Sequence, residues 1–252
     1  MIHLKTPEEI AVMREGGKRL GKILKALRKA VKPGLKTSEL DILARELLAK
    51  EDSRSAFLGY VPHGAQAGFP AALCVSVNEI VVHGLPGNYV LQDGDVVSLD
   101  MGLVYKDFYS DSAVTVGVGK ISKDRKKLLA VTEKSLYAGI KAAKAGNTLG
   151  DIGFAISSVV RKAGFELAQG LTGHGIGKSL HEDPDVWNEG YPGAGEEIRP
   201  GMVLAIEPMV VMGGGKIVNR KDDSYATKDD STAAHFEHTV AILSRGNKIL
   251  TA

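Results

Sequence analysis

The chain has 252 residues, of which 44% are apolar and 25% are charged, and its formal net charge is +2. A chain of this size can bury a sizeable core, and a charge so close to zero gives no support for nucleic-acid binding. The apolar runs are far shorter than the roughly 18 residues of a membrane span, and the single cysteine, Cys74, excludes an intrachain disulfide.

The stretch MIHLKTPEEI at the N-terminus lacks the basic and apolar regions of a secretory signal. A single cysteine also suits a reducing compartment. These features predict a cytoplasmic protein with no membrane attachment.

Two helices are predicted near the N-terminus. Thr6-Pro7-Glu8-Glu9 has the form of a capping box with proline at the first helical position, and apolar residues follow at helical spacing. A second helix is predicted to begin near Thr37. The opposite face of the first helix carries four lysines, which we interpret as a solvated surface: Lys18, Lys22, Lys25 and Lys29.

Strands and helices alternate through the rest of the chain. The predicted elements are strands over 71–77, 96–105 and 112–119, helices over 123–145 and 148–163, and strands over 202–211 and 235–243. Because several strands are joined by short turns, the pattern favours a mixed α+β fold over a doubly wound parallel sheet.

A faint internal repeat links the two halves of the chain. The matched pairs are Gly94 with Gly201, Asp100 with Glu207 and, in the preceding helices, Gly34 with Gly146. We interpret them as two similar half-domains, each with helices followed by a strand that ends in a carboxylate. Chance matching of amphipathic segments is the alternative. If the halves pack about a pseudo-twofold axis, Asp100 and Glu207 face each other across it.

Four acidic residues occur in or beside apolar strand-like runs: Asp100, Asp111, Glu207 and Glu237. If the strands that carry the first two form a hairpin, both carboxylates can face one side. A carboxylate inside an apolar strand is costly unless its charge is compensated, and no lysine or arginine is evident beside these acids in the apolar runs. The pattern favours a bound cation over a buried network of structural ion pairs.

His174 lies between two glycines, which allow the backbone to bring its imidazole close to a metal ion. Four carboxylates and one imidazole suit a hard or borderline divalent ion such as Mn²⁺, Fe²⁺ or Co²⁺ better than a structural zinc ion. The number of carboxylates exceeds the needs of one catalytic ion and suits a hydrolytic pair of ions.

Six ordered motifs resemble those of type I methionine aminopeptidase, in peptidase family M24. They are NEIVVHGLP, GDVVSLDMG, YSDSAVTVGVG, TGHGIGKSLHEDP, RPGMVLAIEPM and HFEHTVAI. The resemblance covers nearly the whole chain. It implies a pita-bread α+β fold with two pseudo-symmetric half-domains, in which helices cover an antiparallel sheet, and a single catalytic domain over residues 1–252.

The resemblance also implies a centre of two divalent ions, with Co, Mn, Fe or Zn as the candidate metals. Its ligands are Asp100, Asp111, His174, Glu207 and Glu237, among which the residues matching Asp111 and Glu237 bridge the ions. In the family, Glu207 has a proton-transfer role as well.

Other family motifs imply residues that contact the substrate. His83 and His181 match histidines near the scissile carbonyl and, with Glu207, form the implied catalytic set. The residues that match the methionine pocket are Tyr60, Phe69 and Cys74.

The chain departs from the family pattern around this pocket. Leu180 occupies a position where the family often has phenylalanine, and Tyr225 lies where relatives often carry tryptophan. The segment VPHGAQAG (61–68) is longer than the usual link. An apolar pocket is retained, and the flexible thioether of methionine suits it.

The activity implied by the resemblance is removal of the initiator methionine from nascent or newly made proteins that have a small second residue. A hydroxide generated at the two ions attacks the first peptide carbonyl. The implied partners are peptides and nascent chains that begin with methionine, and the chain is expected to be a monomer. Transient ribosome association, through the basic face of the first helix or SKDRKK (122–127), is left open.

Two alternatives come from different functional classes. An X-Pro aminopeptidase or prolidase shares the fold and ligands but usually has an additional N-terminal domain, whereas only 99 residues precede Asp100. A metal-free pita-bread protein that binds a partner loses ligands, whereas this chain has all five. A type II methionine aminopeptidase is disfavoured because it carries a helical insertion between the positions matching Glu207 and Glu237.

Overall fold

The structure is a computed structural model that describes residues 2–61 and 67–252. Its helices are α1 (Pro7–Ala30), α2 (Thr37–Lys50), α3 (Lys123–Ala142) and α4 (Leu149–Lys162). The strands of the first half are β1 (Arg54–Ser55), β2 (Cys74–Val77), β3 (Ile80–Val82), β4 (Val96–Tyr105) and β5 (Phe108–Gly117). Those that follow are β6 (Glu166–Leu167), β7 (Thr172–Gly175), β8 (Glu182–Trp187), β9 (Val203–Ile206), β10 (Met209–Val211), β11 (Ile217–Asn219), β12 (Tyr225–Thr227), β13 (Ala233–His235), β14 (His238–Ile242) and β15 (Asn247–Ile249).

The predicted helices are present, and α1 begins with the predicted capping box. The Thr6 hydroxyl accepts a hydrogen bond from the backbone N–H of Glu9, and the Glu9 side chain accepts one from the backbone N–H of Thr6. Leu20 and Leu27 lie on the buried face of α1, as their helical spacing predicts. Among the described residues, no helix has the combined length and apolar character needed to cross a membrane.

The hairpin of β4 and β5 is paired along its whole length. Asp100 lies opposite Ala113, and Asp111 lies opposite Gly102. Because side chains alternate between the faces of a strand, this register places the two aspartates on the same face, as the sequence predicted. A two-residue turn at 106–107, with positive φ at both positions, closes the hairpin in the manner favoured for antiparallel strands.

Antiparallel pairing joins the strands into sheets on both sides of this hairpin. In the first half, β4 pairs with β1, β2 and β5. In the second half, five strands follow the order β15-β14-β9-β7-β8. Smaller sheets contain β13-β10-β6 and β11-β12-β3. The architecture is therefore the mixed α+β class that the sequence predicted.

Two runs that were predicted as continuous strands are interrupted. The run over 202–211 forms β9 and β10, with Glu207 and Pro208 between them, and the run over 235–243 forms β13 and β14, with Glu237 in the break. β9 pairs with β14, and β10 pairs with β13. Both segments therefore pass from one sheet to another at the same place. Pro208 has no N–H to donate to a ladder, which explains one break.

Equivalent backbone hydrogen bonds support the internal repeat. The N–H of Gly34 donates to the carbonyl of Leu91 at 2.8 Å, and the N–H of Gly146 donates to the carbonyl of Ile198 at 3.0 Å. Both glycines have a positive φ, of 86° and 88°, which glycine adopts without strain. A second matched pair of bonds joins Gly94 to Val118 and Gly201 to Ile242.

Each half has its own hydrophobic core. One cluster of buried side chains extends from Leu20 to Val118, and another from Leu128 to Ile242. A third cluster contains Cys74 from the first half and Leu180 from the second, and lies between them. The halves are thus separately packed, and the side chains at their junction are free to form a site.

We expect the substitution Gly17→Ala to destabilise the protein, although alanine is normally the better helix former by about 1 kcal/mol. A Cβ at Gly17 would lie 2.4 Å from the backbone oxygen of Leu250, so α1 or the segment after β15 must move. Overpacking of this kind typically costs about 1–3 kcal/mol. Urea unfolding measures the change. Lys25→Ala, an exposed change on the same helix, is the control, and equal stability of the two variants would contradict the expected clash.

Candidate metal centre

Three of the predicted ligands converge at the junction of the two halves. One ligand atom each from Asp111, His174 and Glu237 lies within 4.8 Å of the other two. Asp100 lies close enough to Asp111 for each carboxyl group to affect the pKa of the other. Asp100, Asp111 and Glu237 are only 8%, 4% and 2% exposed, so their carboxylates are shielded from bulk water.

Hydrogen bonds between β5 and the segment around β14 hold this arrangement. The N–H of Glu237 donates to the carbonyl of Ala113 at 3.0 Å, and the Ser112 hydroxyl donates to the carbonyl of Glu237 at 2.7 Å. The N–H of Asp111 donates to the Thr239 hydroxyl at 2.9 Å. The backbone of Asp111 and that of Glu237 are therefore each fixed by hydrogen bonds to residues of the other half.

His174 is oriented by the backbone that follows it. Its Nδ1 donates to the carbonyl of Gly175 at 2.8 Å, so the lone pair of a neutral ring is on Nε2, the form that binds metal ions. A Cβ at Gly173 would lie 2.3 Å from the Ala205 oxygen, and one at Gly175 would lie 2.1 Å from the Asp183 oxygen. The flanking glycines thus allow β7 to approach its neighbours closely.

Glu207 completes the set on the side of His174. Its Oε1 lies 3.6 Å from Nε2 of His174, and its side chain is 12% exposed. The backbone oxygen of Glu207 accepts a hydrogen bond from the Asn188 side chain at 3.0 Å. The structure therefore brings together all five predicted ligands, two from the first half and three from the second.

Burial and mutual repulsion disfavour the charged forms of these acids. Burial raises the pKa of Asp100 to about 7, with Glu207 adding to the shift and His235 opposing it. Burial, with the charges of Asp100 and Glu207, raises the pKa of Asp111 well above its usual range. Burial, with Asp111 and Glu207, does the same for Glu237. Protein groups alone do not compensate this cluster.

The donor set fits a divalent cation. In residues 2–61 and 67–252, no lysine or arginine forms an ion pair with any of the four acids. Oδ1 of Asp100 and Oε1 of Glu237 are buried without a hydrogen-bond partner. Such orphaned oxygens, next to an imidazole nitrogen with a free lone pair, are what a divalent ion requires.

His83 and His181 lie beside the buried carboxylates, and both rings are near Glu207. Both side chains are accessible to solvent, yet enough protein surrounds them for burial to lower their pKa, that of His181 to about 4. The ring of His181 lies 4.4 Å from that of His174, and its Nδ1 lies 2.6 Å from the Tyr60 hydroxyl. His83 follows β3 directly and has a φ of 60°, a strained conformation that is often found at functional sites.

The residues expected in the methionine pocket lie near Asp100 and His181. Cys74 lies directly opposite Asp100 in the pairing of β2 with β4, and burial raises the pKa of its thiol. Phe69 packs edge-on against Phe57 with 6.3 Å between ring centroids. Tyr60 contacts His181, which adds a polar contact to its expected role as a pocket wall.

The positions that depart from the family pattern also lie here. Leu180 is buried in the same apolar cluster as Cys74, and the Tyr225 ring lies 5.7 Å from that of His83. In the segment over 61–68, residues 62–66, which include His63, lie outside the described part of the chain.

The sequence did not single out His235, which lies at the floor of the site. Its Nε2 is 3.3 Å from Oε2 of Glu207. Burial would lower its pKa, but Glu207 and Asp100 raise it overall. The sequence feature that could have indicated His235 is its position two residues before Glu237 in a strand-like run. In a continuous strand, residues two apart have their side chains on the same face.

Comparisons with known proteins show the family of the chain. Residues 11–244 match the family described as Metallopeptidase family M24. A methionine aminopeptidase of Clostridium perfringens is 46% identical over 252 residues, which are 100% of this chain and 99% of that protein. A crystal structure of methionine aminopeptidase from Thermotoga maritima has a TM-score of 0.94 at 43% identity, and the match covers 100% of this chain and 99% of that one.

A more distant likeness concerns the fold alone. A prolidase from Pyrococcus furiosus has a TM-score of 0.79 at 21% identity, and the match covers 99% of this chain but 65% of the prolidase.

We expect the metal-free protein to lose stability as the pH rises. The pKa of Asp100 is raised in the folded state to about 7, and that of an unfolded aspartate is about 3.9. The stability contributed by its protonated form is complete below the lower value and is lost as the pH rises through the upper one. Asparagine does not titrate, so Asp100→Asn lacks this pH dependence. After chelator treatment of both proteins, the free energy of unfolding of the variant should therefore rise relative to that of wild type between pH 4 and 8. Urea unfolding at several pH values tests this, and parallel profiles would contradict it.

Proposed function

The chain belongs to metallopeptidase family M24, and we propose that it is a methionine aminopeptidase, which hydrolyses the first peptide bond of chains that begin with methionine. The observation that carries this proposal is the convergence of Asp111, His174 and Glu237, with Asp100 and Glu207 beside them and an apolar cluster between the two halves. The predicted pita-bread α+β fold is confirmed by the architecture and by the likeness to the methionine aminopeptidase structure.

Membership of this family implies the use of divalent metal ions. We assign two ions to the site, which Asp100, Asp111, His174, Glu207 and Glu237 would hold. A pair of divalent ions supplies activated water near neutral pH and polarises the carbonyl that is attacked. The candidate metals remain Co, Mn, Fe or Zn.

His181 is suited to hold the scissile carbonyl. The Tyr60 hydroxyl lies 2.6 Å from its Nδ1 and remains protonated at neutral pH, since burial raises the pKa of Tyr60. In the proposed arrangement this hydroxyl donates to Nδ1, so Nε2 of the neutral ring carries a proton that it can donate to the substrate oxygen. A hydrogen bond of this type strengthens as negative charge develops in the transition state.

His83 and Glu207 are assigned to the remaining polar tasks. His83 has a strained backbone and lies near Glu207, and we assign it to a hydrogen bond with the substrate beside the cleaved bond. Glu207 is more exposed than the other ligand acids, so we assign it to carry a proton toward the leaving amine.

The apolar cluster between the two halves suits the methionine side chain. Phe69, Cys74 and Leu180 belong to the cluster between the two halves, and Cys74 stays a neutral thiol because burial raises its pKa. An unbranched thioether adapts its rotamers to such walls and packs well against aromatic rings. We propose that these residues form the pocket that selects methionine, and that a small second residue is preferred, as the resemblance to the family implies.

The proposed partners are peptides and nascent chains with an N-terminal methionine. We further propose a monomeric, cytoplasmic enzyme, in which transient contact with the ribosome uses basic side chains. Four lysines of the first helix, at positions 18, 22, 25 and 29, are exposed and lie outside the proposed metal centre. Their exposure supports this helix as the surface that would contact the ribosome.

A peptide panel tests the proposed function. We expect the metal-loaded protein to release free methionine from Met-Ala-Ser, to act poorly on Met-Lys-Ser because the second side chain is too large, and to leave Ala-Pro-Ser intact. Chelation should abolish the activity, and Mn²⁺, Co²⁺ or Fe²⁺ should restore it. Chromatography of the products identifies the released amino acid. Cleavage of Ala-Pro-Ser instead of Met-Ala-Ser would favour the X-Pro alternative, and full activity after verified metal removal would refute the metal-dependent reaction.

Two alanine variants separate the roles of the histidines. We expect His174→Ala to reduce both metal occupancy and activity, because it removes a ligand. We expect His181→Ala to keep its metal and to lose about 10²–10³ in kcat, because it removes a donor to the developing charge. The KM should change less than kcat.

Metal analysis and steady-state kinetics on a Met-Ala peptide measure both effects. Loss of metal from His181→Ala would show that this residue belongs to the ligands, and a near-normal kcat would show that it has no part in the reaction.

A further inference from the structure

One buried histidine beside the proposed centre has no part in the reaction described above. His235 ends β13 and is 2% exposed, and neither of its ring nitrogens has a hydrogen-bond partner of good geometry among the described residues. Burial of a polar ring without a partner is costly, so such a residue in a folded protein requires an explanation.

The ring of His235 faces the carboxylate of Glu207. Nε2 of His235 lies 3.3 Å from Oε2 of Glu207, while Oε1 of the same carboxylate lies 3.6 Å from Nε2 of His174. Two histidines therefore flank one carboxylate, with one at each oxygen. Oε1 faces the proposed ligand His174. His235 can therefore hold Oε2 and leave Oε1 available to a metal ion.

The backbone of His235 is fixed tightly enough for such a task. Its N–H donates to the Thr115 hydroxyl at 2.9 Å, and that hydroxyl donates to the carbonyl of His235 at 2.6 Å. His235 also pairs with Met209 across the ladder of β10 and β13. A side chain on paired backbone is placed more accurately than one on a loop.

We propose that His235 is a positioning residue of the metal centre, whose Nε2–H donates to Oε2 of Glu207 and turns Oε1 toward the ion beside His174. This role rests on the proposed function, in which Glu207 is a metal ligand. Nε2 of His235 faces Oε2 of Glu207 at 3.3 Å, so we assign His235 to hold this ligand and not to bind the ion itself.

Metal affinity is the direct measure of this role. Competition of the metal-free protein with a chromophoric chelator for Mn²⁺ gives the affinity without any use of peptide cleavage. We expect His235→Leu, which has similar bulk but no donor, to weaken binding of the affected ion by about 10–100-fold, as is typical when the hydrogen-bond partner of a ligand is lost. His235→Gln retains an N–H donor on a flexible side chain and should restore most of the affinity.

His238→Gln provides a matched control. His238 lies three residues along the chain and is also largely enclosed, but its Nδ1 is hydrogen bonded to the Thr251 hydroxyl at 2.9 Å and its ring packs beside Tyr137, outside the ligand set. We expect this variant to bind Mn²⁺ as wild type does. Wild-type affinity in His235→Leu would overturn the proposal, as would an equal loss in His235→Gln and His235→Leu.

A double-mutant cycle with Glu207→Gln tests whether the effect passes through Glu207. In that background, His235→Leu should produce little further loss of affinity, because the carboxylate that it orients is absent. A full additive loss would overturn the proposal. If His235→Leu does not fold, which thermal unfolding of the metal-free variants reveals, His235→Asn replaces it, since its shorter amide removes the reach to Glu207 and should weaken binding as the leucine does.

Failure of the proposed function has a different signature. If wild-type protein binds Mn²⁺ but releases no methionine from Met-Ala-Ser, the peptidase assignment is wrong and the affinity comparison still decides the role of His235. If the wild type cleaves the peptide and His235→Leu binds Mn²⁺ normally, the function stands and the positioning role is refuted.

Discussion

The repulsion among carboxylates that are buried side by side is the constraint on which the rest of the site depends. Asp100, Asp111 and Glu237 lie out of water at the junction of two separately packed halves, and burial raises the pKa of each. A fold that gathers such groups sacrifices stability unless a cation joins them. The repulsion that makes the metal-free cluster costly also favours the binding of a divalent ion.

The pseudo-symmetric architecture explains how one short chain brings these groups together. Each half supplies a strand that carries an acid, Asp100 on β4 and Glu207 at the end of β9, and equivalent glycine turns begin both strands. In the second half, two neighbouring segments of the chain pass from one sheet to another at the same place. Glu207 and Glu237 lie at these breaks, outside the regular ladders. Ligands at such breaks are released from strand alternation and can turn toward a common point.

Much of this arrangement was predictable because it depends on local patterns. The capping box at Thr6 predicted the start of α1, and the two-residue period of strands placed Asp100 and Asp111 on one face. The interrupted strands were harder, since the apolar run around Pro208 resembles one continuous strand. Pro208 was a local warning, whereas the matching break at Glu237 depends on pairing with a segment about 30 residues away.

Contacts between distant residues escaped prediction for a related reason. The hydrogen bond between Tyr60 and His181 joins positions 121 residues apart, and nothing near Tyr60 in the sequence indicates that its hydroxyl reaches a histidine. His235 was passed over because a single histidine in an apolar run is usually structural. Its contact with Glu207 exists only because β10 and β13 pair in one register.

Metal binding at the acidic junction would also link the amount of the protein in a cell to the supply of metal ions. Ions that bind the folded state alone stabilise it by mass action, so withdrawal of metal leaves the buried carboxylates uncompensated and raises the population of opened molecules. Proteases act on opened chains, and a loss of about 1–2 kcal/mol can change abundance several-fold. Metal starvation would therefore shorten the lifetime of the polypeptide and not merely silence it.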